Sequence, residues 1–130
     1  MYLLDTDFII ASRFPQESTH PRAKILGNEI YSTDDFLITE LVLMEVATVI
    51  SHKYSQSQAI LAVQTLQKAG RATLRLDADD WKNTWSLFIQ QQKRRTSVVD
   101  CSNTVLAQKL GAQVVSFDQF YQQFGVAVEC

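Results

Sequence analysis

The segment from Thr96 to Phe124 restricts the fold more than any other part of the chain, because it joins a helix pattern to a short apolar run. The pattern predicts a helix over Val98–Leu110, which a glycine ends. Ala112–Phe117 is typical of a short buried strand. Asp100 lies in the first turn of this helix, and Asp118 follows the strand. Since ligands bind at the carboxyl ends of strands in open parallel sheets, the two aspartates mark a candidate functional edge.

The rest of the chain continues this alternation of helices and strands. Apolar runs predict three further strands, at Tyr2–Leu4, Phe36–Thr39 and Ala72–Leu76. Apolar residues at helical spacing predict further helices over Thr6–Ser12, Arg22–Ile30, Glu40–Lys53, Gln58–Ala69 and Asp79–Gln92. The alternation favours one α/β domain over residues 1–130, with a short, mostly parallel central β-sheet flanked by helices.

Two of the predicted helices carry expectations about burial. The helix Glu40–Lys53 has a broad apolar face, so we expect it to be largely buried. In the helix Asp79–Gln92 we expect an aromatic and aliphatic stripe to face the core rather than to stack on nucleic-acid bases. The stripe consists of Trp81, Trp85, Phe88 and Ile89.

Composition and charge limit the class of protein. The chain has 130 residues, of which 46% are hydrophobic, which is enough for one domain with its own core. Its 12 Lys and Arg residues against 14 Asp and Glu give a formal charge of −2, unlike a protein that coats nucleic acid. No apolar run approaches the roughly 18 residues of a membrane span. The N-terminal MYLLDTDFII lacks the basic region of a signal peptide, so we expect a soluble cytoplasmic protein.

Cysteine and histidine give little support for other kinds of site. Cys101 and Cys130 form neither a disulfide framework nor a metal-ligand spacing. His20 and His52 are the only histidines, which disfavours a zinc site. No local motif supports a Ser-His-Asp or Cys-His catalytic site.

Four acids occupy positions that the apolar pattern would otherwise reserve for the core or for the ends of elements: Asp5, Glu45, Asp100 and Asp118. A buried charge is costly unless it is paired or binds a metal ion. Glu45 has no base one helical turn away, since Leu41, Val42, Thr48 and Val49 hold those positions. If the four acids converge, their repulsion must be relieved by cations or protons. All-oxygen ligands suit Mg²⁺ or Mn²⁺, so the pattern favours a metal site.

Most of these acids also have a purely structural interpretation. Ser97 and Asp100 have the spacing of a capping box. Asp118 could begin a turn, and Asp5 and Asp7 could cap the first helix. Taken together, the four acids favour the metal site over these separate roles.

Three segments that contain the acids resemble a known family: LLDTDFII, ITELVLMEVATVI and SVVDCSNTVLAQKLGAQVVSFDQF. They are similar to conserved segments of the PIN-domain nucleases, and especially of the VapC-type toxins of bacterial toxin–antitoxin pairs. The resemblance runs over nearly the whole chain and implies a divalent-metal-dependent endoribonuclease. It makes Asp5, Glu45, Asp100 and Asp118 the catalytic and metal-binding acids. We expect Asp5 and Asp100 to be direct ligands, with Glu45 and Asp118 acting through water.

The match leaves some roles open. Asp7 departs from the family, which more often has Ser, Asn or Thr after the Asp-Thr pair. Glu40 is a rival to Glu45, but the two point about 140° apart on a helix, and the family segment favours Glu45. Candidate accessory residues that could orient water or phosphate are Asp7, Ser97, Asn103 and Ser116. Lys93, Arg94 and Arg95 could hold RNA phosphates or could form only a solvated loop.

The resemblance also implies partners, and it has rivals. It implies an RNA substrate, a protein antitoxin and a homodimer, with no membrane association. The helices Arg22–Ile30 and Gln58–Ala69 offer partner surfaces, although core packing explains their patterns equally well. One alternative is a catalytically silent PIN-like module that binds RNA or protein. Another is a haloacid-dehalogenase-type phosphatase, because LLDTD resembles the Asp-x-Asp loop of that family, although the late acidic pair of that family is reduced here to Asp118.

Overall fold

A computed structural model describes residues 1–72 and 74–128 of the chain. In these ranges three short strands form a parallel sheet in the order β2-β1-β3: β1 (Tyr2–Leu4), β2 (Phe36–Leu37) and β3 (Gln113–Val115). The helices are α1 (Thr6–Arg13), α2 (His20–Ser32), α3 (Glu40–Lys53), α4 (Gln56–Lys68), α5 (Ala78–Gln90), α6 (Val98–Leu110) and a 3₁₀ helix (Gln119–Phe124). The predicted α/β class with a short parallel sheet is confirmed.

The central strand β1 places its carboxyl end beside that of β3. Leu3 pairs with Val114 in parallel register, and the Asp5 backbone N–H donates to the carbonyl oxygen of Val115 at 3.0 Å. The chain then enters α1 directly after β1. Because the strands are parallel, residues that follow β1 and β3 come to the same edge of the sheet.

Side chains of the sheet alternate between two cores, as the period of a strand requires. Leu4 and Val115 belong to a core formed with α1, α2, α3 and α4. Leu3 and Val114 belong to a second core formed with α6 and the 3₁₀ helix, against which part of α5 packs. The sheet therefore separates two helical layers, and its carboxyl edge is open between them.

Strand β1 has its predicted bounds, whereas β2 and β3 are shorter than the sequence predicted. The Thr39 hydroxyl accepts a hydrogen bond from the Val42 backbone N–H at 3.0 Å, which starts α3 and limits β2. The predicted strand Ala72–Leu76 includes Thr73, which lies outside the described residues. In the described part of that segment, Leu74 makes one parallel bridge with Thr39, so a longer strand is not formed there.

The burial predicted for two helices is wrong in part. On α5, Trp85 is 47% exposed and Ile89 is 80% exposed, whereas Asp80 and Thr84 are buried. The buried face of α5 is therefore shifted by about one residue from the predicted stripe. This orientation places Asp80 Oδ1 3.1 Å from Nζ of Lys109 on α6. On α3 only one face is buried, and Met44 is 64% exposed. None of the helices that the structure describes combines the length and the hydrophobicity required to span a bilayer.

Candidate active site

The carboxyl edge of the sheet forms an acidic cleft with a volume of about 360 Å³. The four acids singled out from the sequence all line it: Asp5, Glu45, Asp100 and Asp118. Asp7 lines the cleft as well. The acids come from four separate places in the chain, so the fold brings together residues that are up to 113 positions apart.

Asp5 is the most buried of these acids, at 4% exposure. It is the N-cap of α1, and its Oδ1 accepts hydrogen bonds from the Thr6 backbone N–H at 2.9 Å and from Asn103 Nδ2 at 3.1 Å. Its Oδ2 accepts from the Tyr121 hydroxyl at 2.9 Å. Burial, as the largest cause, and the charges of Asp7 and Asp100 together raise the pKa of Asp5 to about 8. A cation in the cleft would favour the ionised form.

Asp100 combines a structural role with a position in the cleft. Its Oδ2 accepts from the Ser97 backbone N–H at 3.1 Å, and its own N–H donates to the Ser97 hydroxyl at 3.0 Å, which completes a capping box. Its Oδ1 accepts from the Tyr121 hydroxyl at 3.2 Å. Burial raises the pKa of Asp100, and the charge of Asp118 acts in the same direction. The capping interpretation is therefore compatible with a role in the site.

Glu45 and its rival Glu40 lie in different environments. Glu45 lines the cleft, where burial raises its pKa, an effect to which the charge of Asp100 adds. Glu40 pairs with Arg75, with Oε1 and Nε 2.8 Å apart, and is absent from the lining of the cleft. Glu45 is only partly buried, since α3 is less buried than the sequence predicted.

Asp118 lies at the exposed rim of the cleft. Its Oδ1 accepts from the Phe120 backbone N–H at 2.9 Å, which makes it the N-cap of the 3₁₀ helix. Its charge raises the pKa of both Asp7 and Asp100, after the larger effect of burial on each. Neighbouring carboxylates thus disfavour the ionisation of Asp5, Asp7, Glu45 and Asp100 in this cleft.

The candidate accessory residues have different positions. Asp7 lines the cleft and accepts hydrogen bonds from Ser116 Oγ and the Phe117 N–H. Asn103 donates to Asp5, whereas Ser97 is the cap of α6 and touches Asp100. Ser116 also accepts from the Asp118 N–H at 3.0 Å. Asn103, Ser97 and Ser116 therefore each contact an acid of the cleft, and Asp7 is itself one of the acids that line it.

Tyr121 is a site residue that the sequence did not reveal. It has 0% exposure, and its hydroxyl contacts both Asp5 and Asp100. A buried tyrosine requires a partner for its hydroxyl, and that requirement is the only signal available in the sequence. The apolar pattern after Asp118 indicates core packing but does not identify the partner.

A basic pocket adjoins the acidic cleft. Lys93, Arg94 and Arg95 are exposed and line a pocket of about 210 Å³ together with Asp100 and Asp118. Since these two acids also line the cleft, the pocket and the cleft are continuous around them. A phosphate held by the basic side chains would lie beside the acids.

The donors of the cleft fit a hydrated Mg²⁺ or Mn²⁺ ion. Over residues 1–72 and 74–128, no three His, Cys, Asp or Glu side chains are arranged as a complete metal-binding group. Mg²⁺ usually keeps several water ligands and takes only one or two carboxylates from the protein. Asp5 and Asp100 supply such a pair, joined through the Tyr121 hydroxyl. The mutual repulsion of the acids adds a reason for a cation to bind.

Comparisons with known proteins agree with this architecture. A family model described as the PIN domain matches residues 2–125. The crystal structure of VapC20 from Mycobacterium tuberculosis, described as a sarcin-ricin loop cleaving toxin, has a TM-score of 0.81 at 18% identity, over 98% of this chain and 97% of that chain. The crystal structure of FitAcB from Neisseria gonorrhoeae has a TM-score of 0.71 at 18% identity, over 100% of this chain and 97% of that chain. A search of curated protein sequences finds no significant match.

Proposed function

The chain belongs to the PIN-domain family, and from this premise we propose that it is an endoribonuclease that hydrolyses RNA phosphodiesters with Mg²⁺ or Mn²⁺. The family resemblance predicted from the sequence is confirmed. The observation that carries the proposal is the convergence of four acids on one cleft: Asp5, Glu45, Asp100 and Asp118. These carboxylates repel a phosphodiester, and Lys53, which also lines the cleft, is paired with Glu17 at 2.9 Å. A bound metal cation is therefore needed to offset the charge and to orient the reacting groups.

Each acid has a role in this proposal. Asp5 and Asp100 are the direct ligands, supported by their common contact with the Tyr121 hydroxyl. Glu45 and Asp118 act through water from the sides of the cleft. When bound, the cation lowers the pKa of a water molecule and offsets the charge that develops on the leaving oxygen.

The basic pocket supplies the attraction that the carboxylates cannot. We assign Lys93, Arg94 and Arg95 to contacts with RNA phosphates on one side of the cut bond, next to Asp100 and Asp118. The assignment of RNA as the substrate is supported by the family resemblance and by the likeness to a toxin described as cleaving the sarcin-ricin loop.

We further propose that the protein is the toxin of a cytoplasmic toxin–antitoxin pair, with a protein antitoxin and a homodimeric assembly. This proposal rests on the family resemblance and on the VapC-type fold. Helices α2 and α4 both expose apolar side chains that a partner could cover. These are Ile25 and Tyr31 on α2, and Ile60 and Leu61 on α4.

The proposed activity is tested by cleavage of a labelled mixed-sequence RNA with Mg²⁺, Mn²⁺ or EDTA. The wild type is compared with Asp100→Asn and with the control Asp79→Asn, which changes an exposed acid in the first turn of α5. We expect cation-dependent cleavage by the wild type and the control, and a loss of at least about 100-fold in Asp100→Asn. Equal cleavage by all three proteins would identify a contaminating nuclease.

A narrow substrate range would hide activity on mixed RNA, so the same proteins are also assayed on folded tRNA and ribosomal RNA. Absence of cleavage on every RNA, with divalent cations still bound, would favour the catalytically silent module over the nuclease.

A further inference from the structure

We propose that Tyr121 is a positioning residue that holds Asp5 and Asp100 at a fixed separation for a divalent cation, with Asn103 as its partner. The inference rests on the proposed function, since it concerns the same carboxylate pair. It assigns a role to two side chains that lie behind the acids and that are not among those lining the cleft.

The Tyr121 hydroxyl connects three separate elements of the fold. Tyr121 comes from the 3₁₀ helix, whereas Asp5 follows β1 and Asp100 belongs to α6. The hydroxyl oxygen lies 2.9 Å from Oδ2 of Asp5 and 3.2 Å from Oδ1 of Asp100. Because a hydroxyl has a single proton, it donates to one carboxylate at a time and keeps both within reach of one oxygen.

Asn103 completes the arrangement from α6. Its Nδ2 lies 3.1 Å from Oδ1 of Asp5 and 3.2 Å from the Tyr121 hydroxyl, so it donates to the same carboxylate and to the same hydroxyl. Both oxygens of Asp5 are therefore held by side-chain donors. The orientation of the Asp5 carboxylate is thus fixed by two side chains that are not among those lining the cleft.

A role in packing alone does not account for these two residues. The Tyr121 ring lies in the second core, where its centroid is 5.4 Å from that of Phe120, and phenylalanine would fill this space without a buried hydroxyl. Asn103 has 0% exposure, and within residues 1–72 and 74–128 no donor lies within hydrogen-bond distance of its Oδ1. A buried unsatisfied oxygen costs about 1–3 kcal/mol, so an apolar residue would serve stability better. The hydrogen bond from Asn103 Nδ2 to Asp5 gives the amide a function that an apolar residue could not perform.

The test uses Mn²⁺ as the probe and measures its affinity for the full chain by electron paramagnetic resonance and calorimetry. Tyr121→Phe removes only the hydroxyl. The matched control is Tyr31→Phe, because Tyr31 is 42% exposed and its hydroxyl contacts Ser12 at 3.5 Å, away from the acids of the cleft. We expect Tyr121→Phe to weaken Mn²⁺ binding by about 10- to 100-fold, as loss of an outer-sphere partner does, and Tyr31→Phe to leave it unchanged.

Asn103→Leu provides an independent variant in case Tyr121→Phe does not fold, which circular dichroism and urea unfolding would show. It should also weaken Mn²⁺ binding. If both single variants fold, the double variant should lose less affinity than the two single losses combined, because both residues hold the same carboxylate. In RNA cleavage, Tyr121→Phe should lower kcat and leave KM unchanged, since the hydroxyl faces the acids rather than the substrate.

The outcomes separate this inference from the proposed function. Tight Mn²⁺ binding by the wild type that neither Tyr121→Phe nor Asn103→Leu weakens would overturn the inference alone. An equal loss of affinity in Tyr31→Phe would also overturn it, because the effect would then be a general one. Failure of the wild type to bind Mn²⁺ would overturn the proposed metal site, and the inference with it.

Discussion

Ser116 Oγ lies 3.1 Å from both carboxylate oxygens of Asp7, and this contact joins the first helix to the end of the third strand. The Phe117 backbone N–H donates to the same carboxylate at 3.0 Å. Asp7 is the residue at which the sequence departs from the family pattern. Its hydrogen bonds point to a structural role, even though it lines the cleft.

Asp7→Ala should therefore affect the stability of the fold more than the rate of RNA cleavage. Loss of the hydrogen bonds to a charged acceptor should lower the free energy of unfolding by about 1–3 kcal/mol, as measured by urea denaturation. Cleavage should fall by less than it does in Asp100→Asn. Asp79→Ala, at an exposed position, provides the control. Unchanged stability with complete loss of cleavage would instead place Asp7 in the chemistry.

The buried Asp5 predicts how stability changes with pH in the absence of divalent cations. Its pKa is about 8 in the folded chain against 3.8 as the ordinary value, so between these pH values the folded chain holds a proton that the unfolded chain has lost. Stability must then fall as pH rises through this window, and burial of Glu45 and Asp100 acts with the same sign. We expect the free energy of unfolding in EDTA to decrease by a few kcal/mol, at about 1.4 kcal/mol per pKa unit.

The variant Asp5→Asn isolates this contribution. It should flatten the decline in stability with pH, whereas Asp79→Asn should follow the wild type. Saturating Mg²⁺ should restore stability most strongly at high pH, because it binds the ionised carboxylates of the folded chain. A wild-type stability in EDTA that rises between about pH 5 and 8 would contradict the burial of an ionisable Asp5.

The basic pocket should govern substrate binding rather than the chemical step. A triple variant with Lys93→Gln, Arg94→Gln and Arg95→Gln should raise KM for single-stranded RNA by about 10- to 100-fold. The slope of the logarithm of the RNA-binding constant against the logarithm of salt concentration should become shallower by about 2. The matched control changes three exposed lysines elsewhere: Lys24, Lys68 and Lys82. An equal effect of the two triple variants would show that only overall charge matters.

The orientation of α5 can be tested by comparing an isoleucine-to-alanine substitution on α5 with the same substitution at a buried reference site on α3. Ile89 is 80% exposed, so Ile89→Ala should change the free energy of unfolding by no more than about 0.5 kcal/mol. Ile50 has 0% exposure, and Ile50→Ala should cost about 2–5 kcal/mol. Similar losses in urea denaturation would mean that Ile89 packs in the core, as its sequence pattern first suggested.

Local signals account for the parts of the fold that the sequence predicted well. The helix α6 has the predicted bounds, Val98–Leu110, because Ser97 caps its start and Gly111 adopts a left-handed φ of 65° after its end. Asp100 lies in the first turn of its helix and Asp118 follows its strand, and this placement marked the edge of the sheet at which both now line the cleft. These signals depend on neighbouring residues and are visible in the sequence.

Contacts between distant elements account for what the sequence did not predict. The hydrogen bond between Tyr121 and Asp5 joins residues 116 positions apart, and no sequence periodicity encodes such a pairing. The rotation of α5 likewise depends on the pairing of Asp80 with Lys109 of α6, which overrides the aromatic stripe. The assignment of the acids as metal ligands remains a prediction from the family resemblance and their shared cleft.

The chemistry of the product ends tests the central claim most directly, because it reports which nucleophile attacks the phosphorus. RNA is digested with Mg²⁺ by the wild type and by Asp100→Asn, and the new ends are identified by mass spectrometry. Attack by water leaves linear phosphate monoesters, and we predict these ends, with their formation lost in Asp100→Asn. Ends that carry 2′,3′-cyclic phosphate, formed equally by both proteins, would contradict hydrolysis at the acidic cleft.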